Sequence, residues 1–180
     1  MQDLAADGRS PGTFDAVVGP HLNAAFNYAR WLTRNDADAE DVVQDAAIRA
    51  FRYFGSLRND NARAWLLTIV RNTWYERVAQ RGARPRLVEY DEMTHAPADD
   101  RPDPEALVQQ RQTADRVREA VESLPDDFRE VIVLRELEGM SYKEIAEVAG
   151  IPMGTVMSRL ARARERLLGV LGPAPVAKEA

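Results

Sequence analysis

The chain has 180 residues, of which 45% are hydrophobic and 7% aromatic, with 24 Lys and Arg against 29 Asp and Glu, and it contains no cysteine. That excludes disulfides, thiolate metal sites and a thiol nucleophile, and it suits a reducing cytoplasm. The net charge of −5 argues, as an average, against a nucleic-acid partner, yet the charge is segregated: acids gather at 36–45 and 89–105, bases at 71–86 and 159–166. No apolar run approaches the roughly 20 residues of a membrane helix, and no stretch alternates with period two. The expected fold class is all-α, two small helical domains joined by a flexible acidic linker.

Residues 1–13 carry Asp3 and Asp7 and no apolar core, so they read as a disordered leader rather than a signal peptide. The first domain, 14–81, opens with Phe14, Val18, Leu22, Ala25, Ala29 and Leu32 at three- and four-residue steps, an amphipathic helix with His21 at its boundary. Asn35 or Asp36 caps the next helix, whose first turn is acidic, as the helix dipole favours. Its core side is read as Val42, Val43, Ala46, Ala47, Ala50, Phe51 and Phe54, and Gly55 ends it. Residues 56–61 form a polar loop. A third helix at about 62–80 buries Trp65, Leu66, Ile69, Val70 and Thr73 and turns Thr68, Arg71, Asn72 and Tyr75 to the opposite face.

The helical pattern disappears over 82–105. Pro85, Pro97, Pro102 and Pro104 break any helix, and Glu89, Asp91, Glu92, Asp99, Asp100, Asp103 and Glu105 repel one another, which predicts a flexible linker. The second domain, 106–171, begins with the stripe Leu107, Ala114, Val117, Val121 and Leu124. Pro125 stands at a helix start, Phe128, Val131 and Ile132 follow, and Gly139 closes that helix. Residues 172–180 read as a disordered tail.

Ser141 and Glu144 have capping-box spacing. The short helix behind them turns Ile145, Ala146 and Ala149 inward, Gly150 supplies a left-handed stop, and a turn follows through Pro152. Thr155 is read as the cap of a second helix with Val156, Leu160, Ala163 and Leu167 inside and Met157, Ser158, Arg159, Ala161, Arg162, Arg164 and Arg166 outside. A capped helix, a tight turn and a basic second helix suit docking in the DNA major groove. An αα-hairpin with surface arginines is the plainer alternative.

Taken with the first domain, these residues resemble a family. Asp38-Ala-Glu-Asp-Val-Val-Gln-Asp45, Ala50-Phe-Arg and Ala64-Trp-Leu ahead of Arg71-Asn72 resemble region two of the group IV (extracytoplasmic function, ECF) sigma factors. Leu124-Pro125, Arg129, the run from Gly139 through Ala146 and the run from Gly150 through Arg166 resemble region four. The resemblance implies that Asp38, Glu40, Asp41 and Gln44 dock on the polymerase clamp coiled coil. It implies that Arg71, Asn72 and Tyr75 engage the melted minus-ten strand, that the loop bearing Ser56, Leu57, Arg58 and Asn61 cradles a flipped base, and that Arg77 and Arg81 hold phosphates. Thr155, Met157, Ser158, Arg159, Arg162, Arg164 and Arg166 then belong to the minus-thirty-five surface. The implied partners are core RNA polymerase, through clamp and flap, promoter DNA and an anti-sigma factor. Met157 stands where the family often has Lys or Arg, Ala161 is small, and Leu57 replaces a common aromatic.

Rival readings are weaker. Asp36, Asp38 and Glu40 mimic a calcium loop, but Asp41 stands where glycine is needed and Ala47 where the closing glutamate belongs. Neither His21 nor His95 has a nucleophile or metal spacing nearby, so no catalytic residue, metal or cofactor is expected. A helix-turn-helix regulator that acts without replacing sigma would need a sensor domain, commonly α/β, and the first domain has no strand pattern.

Overall fold

The computed structural model describes residues 13–57, 61–82 and 104–172, the side chains of 104–108 and 110 excepted. The leader before Thr13, Arg58, the linker over 83–103 and the tail after Gly172 lie outside the described residues. Every regular element among the described residues is helical.

The first amphipathic stripe folds as two helices, α1 (Phe14–Val18) and α2 (Leu22–Thr33), parted by one 3-10 turn over Gly19–His21. Pro20 has no amide to continue the α-helical ladder, which divides a pattern that is continuous in the sequence. Arg34 then takes a left-handed φ of 57°, uncommon for a residue with a Cβ. Asn35 is extended, and its side chain accepts from the Asp38 amide at 2.9 Å. This two-residue reversal sets α3 (Asp36–Tyr53) against α2.

Ala39, Val42, Ala46 and Ala50 form the buried edge of α3, a stripe of small side chains that lets neighbouring helices approach. Phe51, expected in the core, is 67% exposed. It follows Ala50 by one residue, about 100° around the helix, and is held edge-on by Phe14 with ring centroids 5.3 Å apart.

The next helix, α4 (Ala62–Arg81), is capped by Asn61, which accepts from the Ala64 amide at 3.0 Å. It buries Ala62, Ala64, Leu66, Leu67, Val70 and Thr73, a wider band than the sequence stripe, with Trp65 and Ile69 only partly covered. The extra burial arises because α4 packs on α2 and α3 from one side and on the second half of the chain from the other.

The second half starts with α5 (Pro104–Glu122), where Pro104 opens a helix instead of breaking one. Pro125 precedes α6 (Asp126–Ile132), which runs into a single π turn over Val133–Leu137, and Gly139 follows at φ 64°. Val131, Ile132, Val133 and Leu134 are all buried. Four consecutive buried residues cannot share one face of a helix, so this segment is enclosed all round, with α8 on one side and α2 on another. Then come α7 (Tyr142–Ala149) and α8 (Met153–Leu171). The helix-turn-helix is as read, except that α8 begins at Met153 after Pro152. Thr155 lies inside the first turn, its amide bonded to the Pro152 carbonyl at 2.9 Å, so it is not the cap.

The two halves share one hydrophobic cluster running from Val18 to Ala163. Arg129, 3% exposed, staples them. It donates to the carbonyls of Trp31 at 3.2 Å, Glu122 at 3.2 Å and Leu124 at 3.1 Å, collecting orphan acceptors at the ends of α2 and α5. Burial pulls its pKa down, and the Asp126 carboxylate opposes that shift. Arg129→Leu strands these acceptors and is expected to cost about 3 kcal/mol. Asn35→Ala, the loss of one cap, should cost about 1 kcal/mol. Urea denaturation followed by circular dichroism measures both, and equal costs would contradict this assignment.

Candidate polymerase and nucleic-acid interface

On α3, Glu40, Asp41 and Gln44 are exposed and Asp38 is partly covered. From Asp41 the same face continues through Gln44, Ile48 and Phe51 at steps of three, four and three, and Ile48 and Phe51 are 48% and 67% exposed. An acidic start passing into an apolar end suits a helical partner that offers bases and then apolar side chains. The sequence reading missed Ile48 and Phe51, although their spacing from Gln44 was the signal.

Arg77 and Arg81 lean back onto this acidic helix. Arg77 pairs with Asp45 and lies 3.7 Å from the Asp41 carboxylate, and Arg81 reaches Asp38 at 3.3 Å. Arg77 is thereby a tie between α3 and α4. Arg81, whose side chain is 49% exposed, is freer to exchange its partner for a phosphate.

The α4 face that carries Arg71, Asn72 and Tyr75 is largely covered. Asn72 is exposed, but the Arg71 Nε donates to Glu130 Oε1 at 2.6 Å. Tyr28 Oη donates to that same oxygen at 2.7 Å. The Glu130 side chain is fully buried and that of Arg71 is 21% exposed. The Arg71 guanidinium also lies 4.6 Å from the centre of the Tyr75 ring. Desolvation pulls the Arg71 pKa down, but the bond to Glu130 outweighs it and the net shift is upward. Burial, with the Glu130 charge second, pushes the Tyr75 phenol up to about 12 and raises Tyr28 as well.

At the described ends of the loop the polar groups bond within the chain. Ser56 Oγ donates to the Tyr53 carbonyl at 2.6 Å and Leu57 is half-buried. Asn61 uses Oδ1 as the α4 cap and donates from Nδ2 to Glu144 Oε1 at 2.5 Å. Arg63, which the sequence reading did not single out, pairs with the nearly buried Glu138.

The positive side chains of α8 divide into two sets. Arg159 pairs with Asp127 at 2.7 Å and Arg166 lies 5.1 Å from the Phe128 ring centre, both along one flank. Arg164 pairs with Glu136 at 2.7 Å on the other flank. These three tie α8 to the α6 segment. The face opposite Val156, Leu160 and Ala163 exposes Ser158, Ala161, Arg162 and Glu165, with Met157 beside them at 52% and Thr155 half-buried. Glu165 was missed. Its place seven residues after Ser158 puts a carboxylate on the outward face and narrows the phosphate-compatible surface to the first half of the helix.

Residues 17–84 match the sigma-70 region 2 family and residues 114–167 match sigma-70 region 4. The chain is 39% identical over 170 residues to the ECF RNA polymerase sigma-E factor of Haemophilus influenzae, covering 89% of this chain and 88% of that one. It is 32% identical over 165 residues to the ECF RNA polymerase sigma factor SigE of Mycolicibacterium smegmatis, covering 92% of this chain but 64% of that protein, so it spans less than two thirds of that relative's length. Among solved structures it is similar to the sigma factor RpoE in complex with the anti-sigma factor NepR from Bartonella quintana. The TM-score is 0.71 at 29% identity, over 90% of this chain and 98% of that one.

Both arms of the α7 capping box are present: the Glu144 amide donates to Ser141 Oγ at 3.3 Å, and the Ser141 amide to Glu144 Oε2 at 2.7 Å. The Ser141 bonds, joined by the one from Asn61, hold the Glu144 pKa below its ordinary value. A depressed folded pKa contributes stability that is present above the unfolded pKa and lost as pH falls through the folded one. Glu144→Gln is therefore expected to flatten the acid limb of stability against pH and to leave the neutral-to-basic limb unchanged in shape. An acid limb identical to wild type would show that this carboxylate is not coupled to folding.

Proposed function

The chain belongs to the ECF RNA polymerase sigma factors, and from that premise we propose that it carries core RNA polymerase to promoters and helps open the DNA there. The family's activity is transcription initiation rather than catalysis. In this reading the α3 face of Asp38, Glu40, Asp41 and Gln44, extended by Ile48 and Phe51, takes the polymerase clamp. The outward face of α8, with Met157, Ser158 and Arg162, reads the minus-thirty-five major groove. Arg162 can donate to a guanine edge, while Met157 offers only an apolar contact, for instance to a thymine methyl. Arg71, Asn72 and Tyr75, with the loop from Ser56 to Asn61, take the melted minus-ten strand. The work is done in the cytoplasm, where polymerase and chromosome meet. Bartonella quintana RpoE is bound by the anti-sigma factor NepR, and we extend control by an anti-sigma factor to this chain.

The observation that carries the proposal is the exposed stripe from Asp41 to Phe51, because a regulator that leaves sigma in place has no use for a second docking face on its own polymerase-binding domain. Reconstitution with core polymerase on a promoter library tests it. Promoter-specific starts are expected from wild type. Asp41→Arg should weaken core binding by about 2–5 kcal/mol with helicity intact. Arg162→Ala should lose about 1–3 kcal/mol at one base step and relax selectivity there. Duplex binding without any core-dependent start would favour the helix-turn-helix regulator instead.

A further inference from the structure

The chain has no cysteine, so its sulfur is carried by five methionines, Met1, Met93, Met140, Met153 and Met157. Three of them lie among the described residues, in two different settings. Met140 is 2% exposed within the core, whereas Met153 and Met157 are 53% and 52% exposed. Those two stand four residues apart on α8, so they share one face about 6 Å apart along the axis. Gly154 beside them has no side chain, and the space where one would stand is open. Both thioethers are reachable from solvent.

The polar groups nearby are engaged elsewhere. The Ser158 hydroxyl donates to the Thr155 carbonyl at 3.0 Å, and Arg159 is drawn to Asp127 at 2.7 Å. A duplex that meets the leading turns of α8 is therefore touched by two unbranched thioethers. These suit the C5-methyl groups of thymine and make no hydrogen bond to a base edge. One oxygen added to each sulfur reverses that chemistry, because a sulfoxide is polar and accepts hydrogen bonds.

We propose that Met153 and Met157 form a paired, reversible oxidation site that sets how firmly α8 holds its upstream duplex. This rests on the reading of the outward α8 face as the duplex reader given above, and adds to it a modification of that face. The oxidant is a peroxide. The thioether sulfur gives an electron pair to one peroxide oxygen, the O–O bond breaks as the S–O bond forms, and hydrogen peroxide leaves as water. Sulfur loses two electrons and the peroxide gains them. Reversal takes two thiols of a sulfoxide reductase, which form a disulfide and release the oxygen as water. An oxidised sulfur sets a polar oxygen against a methyl group with no donor to meet it, and burying one such group lowers affinity about ten-fold.

The experiment treats the full-length protein with dilute hydrogen peroxide, removes the peroxide and weighs the peptides. Met153 and Met157 should each gain one oxygen well before Met140. The probe is the upstream duplex that the untreated protein, with core polymerase, selects from a randomised library. Oxidised protein assembled with untreated core should bind that duplex about ten-fold more weakly, and prior treatment with sulfoxide reductase should restore the affinity. The double variant Met153→Leu, Met157→Leu keeps an apolar face and good helix formers. It should bind the duplex as untreated wild type does and be insensitive to peroxide. Because it retains Met1, Met93 and Met140, it separates the pair from the other sulfurs. Full affinity after both sulfurs are oxidised, a loss that the reductase does not restore, Met140 reacting as fast as the pair, or an equal loss in the double variant each overturns the proposal and leaves the duplex reading standing. A library from which the untreated protein selects no upstream sequence overturns that reading and the proposal together.

Discussion

A carboxylate with no exposed surface is costly, by several kcal/mol, unless other groups replace its water. Glu130 gains those groups from two different helices of the other half, the Tyr28 hydroxyl and the Arg71 guanidinium. Truncating one partner of such a site leaves the rest buried without compensation, which is why the seam tolerates few alternative geometries. Its neighbour Arg129 points the other way and gathers the spent carbonyls of α2 and α5. Two adjacent residues of α6 thus lock the same interface by opposite chemistry, one supplying charge to donors and the other supplying donors to carbonyls. The apolar cluster from Val18 to Ala163 fills the space around them.

That arrangement sorts the functional surfaces into open and closed. The stripe from Asp41 to Phe51 and the outward face of α8 remain accessible, while Arg71, Tyr75 and Asn61 are engaged inside the molecule. On the roles proposed above, the faces for polymerase and duplex would be accessible and the face for the melted strand would be covered. The same economy runs through the arginines. On α8 only Arg162 stands clear on the outward face, and Arg159, Arg164 and Arg166 hold the helix at its angle. A rigidly braced helix is what base-edge contacts require.

Much of this was legible in the sequence because it rests on local rules. The Asn35 cap, the Ser141–Glu144 capping box and the left-handed Gly150 all depend on residues within four positions of one another. The break at Pro20 was not read, because the apolar stripe runs on across it, and the cap of α8 was placed at Thr155 instead of Pro152, since a proline sets a boundary but not which side the helix takes. Phe51 was assigned inward because it extends an apolar run, whereas burial followed the alanine stripe one residue back. What could not be read were pairings over long separations. Glu130 looks like any surface acid beside Arg129, and nothing in a linear pattern says that Tyr28 and Arg71 will meet it. Nor does a linear pattern say that Arg159, Arg164 and Arg166 will lie beside Asp127, Glu136 and Phe128.

The seam between the halves depends on the bond between Arg71 and Glu130, and that bond has its own spectroscopic signature. The side-chain Nε–H of Arg71 can be observed by nitrogen-resolved NMR of the isolated full-length protein. Held by a buried carboxylate, it should exchange with water far more slowly than the Nε–H of Arg162 and show proximity to the Tyr28 ring. An Arg71 Nε–H that exchanges as fast as that of Arg162, with no contact to Tyr28, would mean that the halves stand apart in solution and that the melted-strand face is open from the start.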